Sequence, residues 1–328
     1  MARMELRKDP ITRSWVVVGH SESAEIQREP CPLCPGHEDG VRSILQFPSQ
    51  GNWQVRVLPH FKPLYRIEGE PGRSAEGIYD RMSGVGAHEI VVDTPKHEEK
   101  MANETPEHVA QVLDAYARRI ADLKRDPRFK YITVFKNEGA NSGQEWPHSH
   151  SQITATTFVP RRVLYELRAA RDWYRERDRC VFCDILRQEE KQEKRVVDTE
   201  GNYIAFCPYA SRVPFETWIL PRHHNHEFET PGAEDFRSLG SLLGRILRRL
   251  PAIAQGYHMV LHTSPNAQQT RGELADYWQT ISDDYHWHIE IMPIVPTSEK
   301  SYVIKEVYFN ALTPEEASER LRQVNPGS

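Results

Sequence analysis

Two histidines and a glutamine alternate along His148-Ser149-His150-Ser151-Gln152. In an extended strand that spacing places all three side chains on one face, where they can act together on a phosphate or a metal. Upstream, Phe135-Lys136-Asn137-Glu138-Gly139-Ala140-Asn141-Ser142-Gly143 reads as a polar, glycine-bearing loop whose backbone N–H groups can approach an anion. If His148 is committed to a metal, His150 remains free on the same face. A neutral imidazole near its reference pKa is a competent nucleophile at phosphorus, and the phosphoramidate it forms is labile enough to pass its group onward. Gln152 is then placed to hydrogen-bond a phosphoryl oxygen as charge develops. The plainer alternative is a polar strand whose histidines merely alternate.

The cysteines make the metal concrete. Four of the five fall into two C-x-x-C pairs, Cys31/Cys34 and Cys180/Cys183, and Cys207 reads as a small buried hydrophobe. Thiolate combined with imidazole favours zinc in tetrahedral Cys₂His₂ sets. The first expected set is Cys31, Cys34, His97 and His148; the second is Cys180, Cys183, His224 and His286. Four protein ligands in each leave no open position, so both Zn²⁺ sites are expected to be structural. His223, His226, His262 and His288 compete for the second set, and a redox dithiol or ordinary buried cysteines are the alternatives to metal.

These residues lie far apart in sequence, so fold closure must bring them together. The first half reads as a strand over 88–97, a helix over about 105–125 opened by Thr105-Pro106-Glu107, a strand over 131–135 and the histidine strand from 148. The second half repeats that order: a strand over 215–224, a helix near 232–250, a strand over 257–262, then His286-Trp287-His288-Ile289-Glu290. Glu89 to His97 and Glu216 to His224 share one spacing, and His148-x-His150-x-Gln152 matches His286-x-His288-x-Glu290. The pattern predicts an α+β fold built by internal duplication, with antiparallel sheets, flanking helices and two similar halves, 1–165 and 166–328. The linker is expected in the charged, helical stretch between about 160 and 179. The run from Arg187 to Arg195 reads as a solvated helix or loop, and Trp173 and Tyr174 as packing residues.

A chain of 328 residues with net charge −5 can bury a sizeable core, and its mixed charges form no basic stripe for nucleic acid. No apolar run approaches the roughly 20 residues that cross a bilayer, and no apolar segment follows the charged amino terminus. A soluble cytoplasmic protein is expected.

The motifs, in their order, resemble the galactose-1-phosphate uridylyltransferase family of the histidine-triad superfamily. The resemblance covers nearly the whole length. It is carried by Leu6-Arg7-Lys8-Asp9-Pro10-Ile11-Thr12-Arg13-Ser14-Trp15-Val16, the Cys31/Cys34 pair, Asp93-Thr94-Pro95-Lys96-His97, Phe135 to Ala140 and His148 to Gln152. Pro214-Phe215-Glu216-Thr217-Trp218 and Tyr308-Phe309-Asn310 into Thr313-Pro314-Glu315-Glu316 continue it. The second cysteine pair with His224 and His286 is similar to members with two zinc sites.

The resemblance implies a histidine-triad-like fold and a double displacement. His150 attacks the α-phosphorus of a nucleotide sugar, releases a sugar 1-phosphate and carries the nucleotide, UMP in the first instance, to a second sugar 1-phosphate. By motif, Asn137 and Gly143 contact phosphate, Gln152 holds the reacting phosphoryl group, Phe61 packs on the base and His148 binds zinc. A homodimer is implied, each site drawing sugar contacts from its partner's carboxy-terminal segment. Three departures bear on substrate identity. Glu145 replaces a small hydroxyl residue, Pro59 replaces the base-recognising asparagine, and Val303-Ile304-Lys305-Glu306-Val307 replaces a glycine-rich approach to the sugar. Rival readings are a phosphorylase, in which inorganic phosphate captures the same nucleotidyl-histidine (an adenylyltransferase acting on nucleotide sugars or dinucleoside polyphosphates), and a non-catalytic nucleotide-sugar-binding protein.

Overall fold

A computed structural model describes residues 4–19, 30–37, 40–230, 232–267, 279–296, 301–304 and 307–325. The strands are β1 (Glu5–Lys8), β2 (Trp15–Val18), β3 (Leu45–Phe47), β4 (Val55–Pro59), β5 (Ser74–Glu76), β6 (Tyr79–Ser83), β7 (Gly86–Val92) and β8 (Tyr131–Gly139). Then come β9 (His150–Thr156), β10 (Val196–Glu200), β11 (Tyr203–Phe206), β12 (Thr217–Pro221), β13 (Gly256–His262), β14 (His288–Ile294), β15 (Ser301–Ile304) and β16 (Val307–Asn310). The helices used below are α1 (Pro106–Leu123), α2 (Arg161–Arg177), α3 (Val181–Gln192), α4 (Ala233–Arg249) and α5 (Pro314–Gln323).

Ten strands form one antiparallel sheet in the order β10-β11-β12-β14-β13-β8-β9-β7-β4-β3. Outward from the β8/β13 seam, the five strands on each side follow the same chain order, as the repeated sequence grammar predicts. The seam is drawn tight by glycine. A Cβ on Gly256 would stand 2.6 Å from the Glu138 carbonyl oxygen, and Gly139, at φ +86°, would meet the Gln255 carbonyl oxygen at 2.5 Å. β1, β2, β5 and β6 make a smaller sheet, and β15 pairs with β16.

α1 and α4 lie where the two helices are expected, over about 105–125 and near 232–250. Thr105 caps α1 by accepting the His108 N–H, with Pro106 in the first turn. Val109, Val112, Leu113, Tyr116, Ile120 and Leu123 recur on one helical face and are buried against α4 and the sheet. Burying each of these large side chains contributes about 1.5–3 kcal/mol. Ala317 and Leu321 of α5 close the same core. On the opposite sheet face, α2 and α3 cover the carboxy-terminal half through Val163, Leu167, Phe182 and Leu186.

Three local expectations change. Phe135–Gly139 is strand, and only residues 140–143 turn. Its polar residues mislead because Lys136 and Glu138 are buried in an ion-pair network, while β13 satisfies the backbone. The run from Arg187 to Arg195 is only partly solvated: Glu189 and Arg195 form a buried pair, with Nη2 2.8 Å from Oε1. Equal spacing also misaligned two glutamates. Glu89 pairs with Ile153, and the residue holding that place beside Ile291 is Thr217, so Glu216 sits one step earlier.

Candidate active site

β9 has covered side chains on both faces, and alternation sorts them. Ser151, Ile153 and Ala155 point toward α1, where Tyr116 Oη meets Ser151 Oγ at 2.5 Å. His150 and Gln152 point to the other face. His150 is 2 % exposed, and its Nδ1 lies 2.7 Å from the carbonyl oxygen of His148. A carbonyl only accepts, so Nδ1 carries the proton and Nε2 keeps its lone pair. Burial, reinforced by the Lys136 charge, lowers the imidazole pKa to about 4, so the ring is neutral at pH 7.

Lys136 pins this strand from behind. Its ammonium, 0 % exposed, donates to Asp93 Oδ2 at 2.8 Å, Ser149 Oγ at 2.9 Å and the His150 carbonyl oxygen at 3.1 Å, and pairs with Glu138 at 2.8 Å. Burial alone would favour the neutral amine, but Asp93 and Glu138 outweigh it and hold the pKa well above its ordinary value.

Gln152 is oriented by a pair of histidines. The Leu64 N–H donates to His88 Nδ1 at 3.1 Å, so His88 Nε2 carries the proton and donates to Gln152 Oε1 at 2.8 Å. The amide nitrogen of Gln152 is thereby left as the end available to a phosphoryl oxygen. His60 stacks on His88 at 3.9 Å and 9°, takes the Lys62 N–H on Nδ1, and donates Nε2–H to Glu145 at 2.8 Å. Burial pushes the Glu145 pKa up, but the His60 hydrogen bond and the neighbouring imidazoles outweigh it and lower it. Trp146 sets its edge against His150 at 5.4 Å and meets Phe61 at 5.8 Å.

Asn137 shares a strand face with Phe135, which pairs with Gln152, so it lies on the nucleophile's face; its Oδ1 is 2.9 Å from His258 Nδ1 across the seam. Gly143, at φ +74°, belongs to the exposed turn beyond β8. Pro59 ends β4 opposite Glu89. Of the carboxy-terminal departure, Lys305 and Glu306 lie outside the described residues.

Both cysteine–histidine sets converge. In each, four ligand atoms lie within 4.8 Å of one another: Cys31, Cys34, His97 and His148, and Cys180, Cys183, His224 and His286. Cys34 Sγ is 3.3 Å from His97 Nδ1 and 3.5 Å from His148 Nδ1; Cys183 Sγ is 3.4 Å from His224 Nδ1 and 3.7 Å from His286 Nδ1. Zinc bonds of roughly 2.3 Å to sulfur and 2.0–2.1 Å to nitrogen at tetrahedral angles put S and N about 3.5 Å apart. The imidazoles are also turned correctly: Nε2 of His148, His224 and His286 donates to the carbonyl oxygens of Thr94, Ser282 and Pro221 at 2.7, 2.8 and 2.9 Å. Each Nδ1 lone pair is then presented to the sulfur cluster. These residues fit a tetrahedral metal ion.

Residues 18–160 match the family model described as galactose-1-phosphate uridyl transferase, N-terminal domain. Over 340 residues the chain is 28% identical to the ADP-glucose phosphorylase of Arabidopsis thaliana, covering 98% of this chain and 93% of that one. It is 27% identical to the galactose-1-phosphate uridylyltransferase of Thermotoga maritima, covering 98% of both. A solved uridylyltransferase structure superposes with a TM-score of 0.81 at 29% identity over 98% of each chain. The chain is thus similar over nearly its whole length to galactose-1-phosphate uridylyltransferases, and residues 18–160 match the model of their N-terminal domain.

In this uridylyltransferase-like chain, the motifs do not single out His60, His88 or Trp146. No spacing rule signals them, because their contacts cross between strands and loops. His262 and His288, weighed as rival ligands for the second cysteine pair, instead join Glu166 and Glu290 in a separate buried group close enough to share a cation. Its carboxylates already have cations: Arg162 reaches Glu166 at 2.9 Å and Glu290 at 3.4 Å, and Arg212 reaches Glu290 at 2.7 Å.

The buried histidines predict an acid limb of stability. The His88 pKa is lowered to about 4, first by burial and then by His60, so between that value and the ordinary 6.5 the unfolded chain binds the extra proton. Stability contributed by keeping His88 neutral is present near pH 7 and is lost as pH falls toward 4. Urea denaturation at pH 7 and pH 4.5 is expected to show a loss about 2 kcal/mol smaller in His88→Gln than in the unsubstituted protein. Equal losses would contradict the assignment.

Proposed function

We propose that the chain is a hexose-1-phosphate nucleotidyltransferase that moves a nucleoside monophosphate, UMP as first choice, between a nucleotide sugar and a sugar 1-phosphate through His150. The observation that carries this reading is a neutral imidazole with its proton held on Nδ1, beside a glutamine whose amide oxygen is already occupied.

His150 Nε2 attacks the α-phosphorus; the N–P bond forms as the bond to the departing sugar 1-phosphate oxygen breaks. The His148 carbonyl holds the Nδ1 proton and stabilises the imidazolium that develops. Gln152 donates its amide N–H to a phosphoryl oxygen as charge builds there. Phe61 and Trp146 wall the pocket for a base, and Asn137 and Gly143 are assigned phosphate contacts. In the return step an oxygen of the incoming phosphate attacks phosphorus, the N–P bond breaks, and His150 is regenerated. The nucleophile and Gln152 argue against binding without turnover.

Zinc is assigned to both cysteine–histidine sets, where it would supply cross-linking of distant segments. Cys31, Cys34, His97 and His148 tie the amino-terminal loop to the start of β9, which anchors His150 two residues on. Metal analysis of purified protein is expected to give close to two zinc ions per chain, falling to one in Cys183→Ser; a value near zero would remove this part of the proposal.

A phosphorylase is the second reading, favoured by the similarity to the ADP-glucose phosphorylase of Arabidopsis thaliana. Incubation with UDP-glucose or ADP-glucose and labelled sugar 1-phosphate separates the two. Label entering the nucleotide sugar without added phosphate supports transfer between sugar phosphates. Turnover that requires inorganic phosphate supports the second reading. We further propose two duplicated units, 1–165 and 166–328, in a cytoplasmic homodimer; the matching strand order on both sides of the seam supports the duplication.

A further inference from the structure

A cavity in the carboxy-terminal half lies at the register position that the His150 site occupies in the amino-terminal half. In the amino-terminal half Leu58 pairs with Ile90, which pairs with Gln152. In the carboxy-terminal half Phe206 pairs with Trp218, which pairs with Glu290. The rows correspond because Gln152 and Glu290 hold the same place in the two His-x-His-x strands. Three residues beyond Leu58 stands Phe61; three residues beyond Phe206 stands Tyr209. A cavity of about 940 Å³ opens there, between α3 and the segment from Phe206 to Trp218.

That volume lies in the range of small-molecule sites, roughly 300–1,000 Å³. Tyr209 is 78% exposed at its edge, and Phe206 and Trp218 form apolar wall. Of the six Arg or Lys side chains in the lining, Arg162, Arg195 and Arg212 are spent on Glu166, Glu189, Glu216, Glu290 and Glu315; the surplus lies on Arg179 and Arg187, which share Asp184, and on Lys191. Arg187 spends Nη1 on Asp184 at 2.6 Å, and its side chain is 63% exposed, so the rest of its N–H fan faces solvent. Aromatic surface with a cationic surplus suits a ring bearing phosphate.

The counterpart of the nucleophile is sealed off. His288 has the same backbone lock, Nδ1 3.1 Å from the His286 carbonyl oxygen, but its Nε2 is buried with no hydrogen-bond partner among the described residues. Trp218 stacks on one face at 5.0 Å and 23°, and His262 on the other at 4.7 Å and 16°. His150 meets only the edge of Trp146. A phosphorus atom in the second cavity therefore has no reachable imidazole.

We propose that this cavity binds a second nucleotide without turning it over. The proposal rests on reading the His150 pocket as a nucleotide site. Equilibrium dialysis of the zinc-loaded full chain against labelled UMP and, separately, labelled AMP tests it. Two equivalents per chain are expected for one of these nucleotides, falling to one in Ala210→Trp, which fills the cavity mouth, and in Tyr209→Ala, an exposed position that leaves the core untouched. A single equivalent in the unsubstituted protein, or two that persist in both variants, would overturn the second site. Covalent labelling of His150 by nucleotide sugar, measured on the same samples, reports on the transfer reading separately: its absence sinks that reading, while dialysis counts decide the cavity.

Discussion

His150→Ala is expected to abolish covalent labelling by a nucleotide sugar and to cut turnover by at least about ten-thousand-fold, the scale on which removing a nucleophile from a preorganised site acts. The geometry makes this a chemical loss. The ring makes one hydrogen bond, to the backbone of its own strand, and touches the edge of Trp146, so its removal leaves no charged group unpaired. The strand stays held from behind by Lys136 through the main-chain oxygen of residue 150, which alanine retains. The variant should therefore keep its melting temperature within a few degrees and still bind nucleotide sugar. Mass spectrometry of the quenched protein checks the adduct, and a coupled assay checks the rate. Turnover within tenfold of the unsubstituted protein would mean that phosphorus is attacked directly by the acceptor.

Lys136→Met carries the largest expected effect on stability. The ammonium and the Asp93 carboxylate are both fully buried, and Glu138 is nearly so. Methionine of similar volume leaves those carboxylates facing each other without a cation, apart from Lys100, which reaches Glu138 at 2.9 Å from the surface. Breaking one side of a buried ion pair costs about 3–5 kcal/mol, several times the cost of losing an exposed one. The loss should appear as a lower urea midpoint with an unchanged slope. Because Lys136 also grips the His150 carbonyl, the folded fraction should show slowed labelling as well. A midpoint shift corresponding to less than about 1 kcal/mol would mean that the carboxylates find protons or water at little cost.

Much of the candidate site was legible because it rests on short-range periodicity. Alternation along 148–152 determines which side chains share a face, whatever the strand pairs with, and C-x-x-C spacing with soft ligands points to metal in any fold. The α1 cap and the apolar stripes of α1 and α4 are equally local. The loop reading of 135–139 failed because polarity was taken as a sign of solvent. Lys136 is polar because it answers Asp93, a residue more than forty positions earlier, and Glu138 because it answers Lys136 and Lys100.

The sequence by itself determined the strand that carries His150 and Gln152, the two converging cysteine–histidine sets and the doubled order of elements, since each depends on spacing within a few residues or on repeated motifs. The tertiary structure decided the rest. Only the pairing of β7 with β9 brings His88 to Gln152, and only the loop after β4 lays His60 on His88 and points its Nε2–H at Glu145. It also decided that His150 meets one ring in an edge contact while His288 is stacked between two. Cross-strand register and stacking are set by which strands meet and at what offset, a free-energy minimum of the whole sheet that no local window contains.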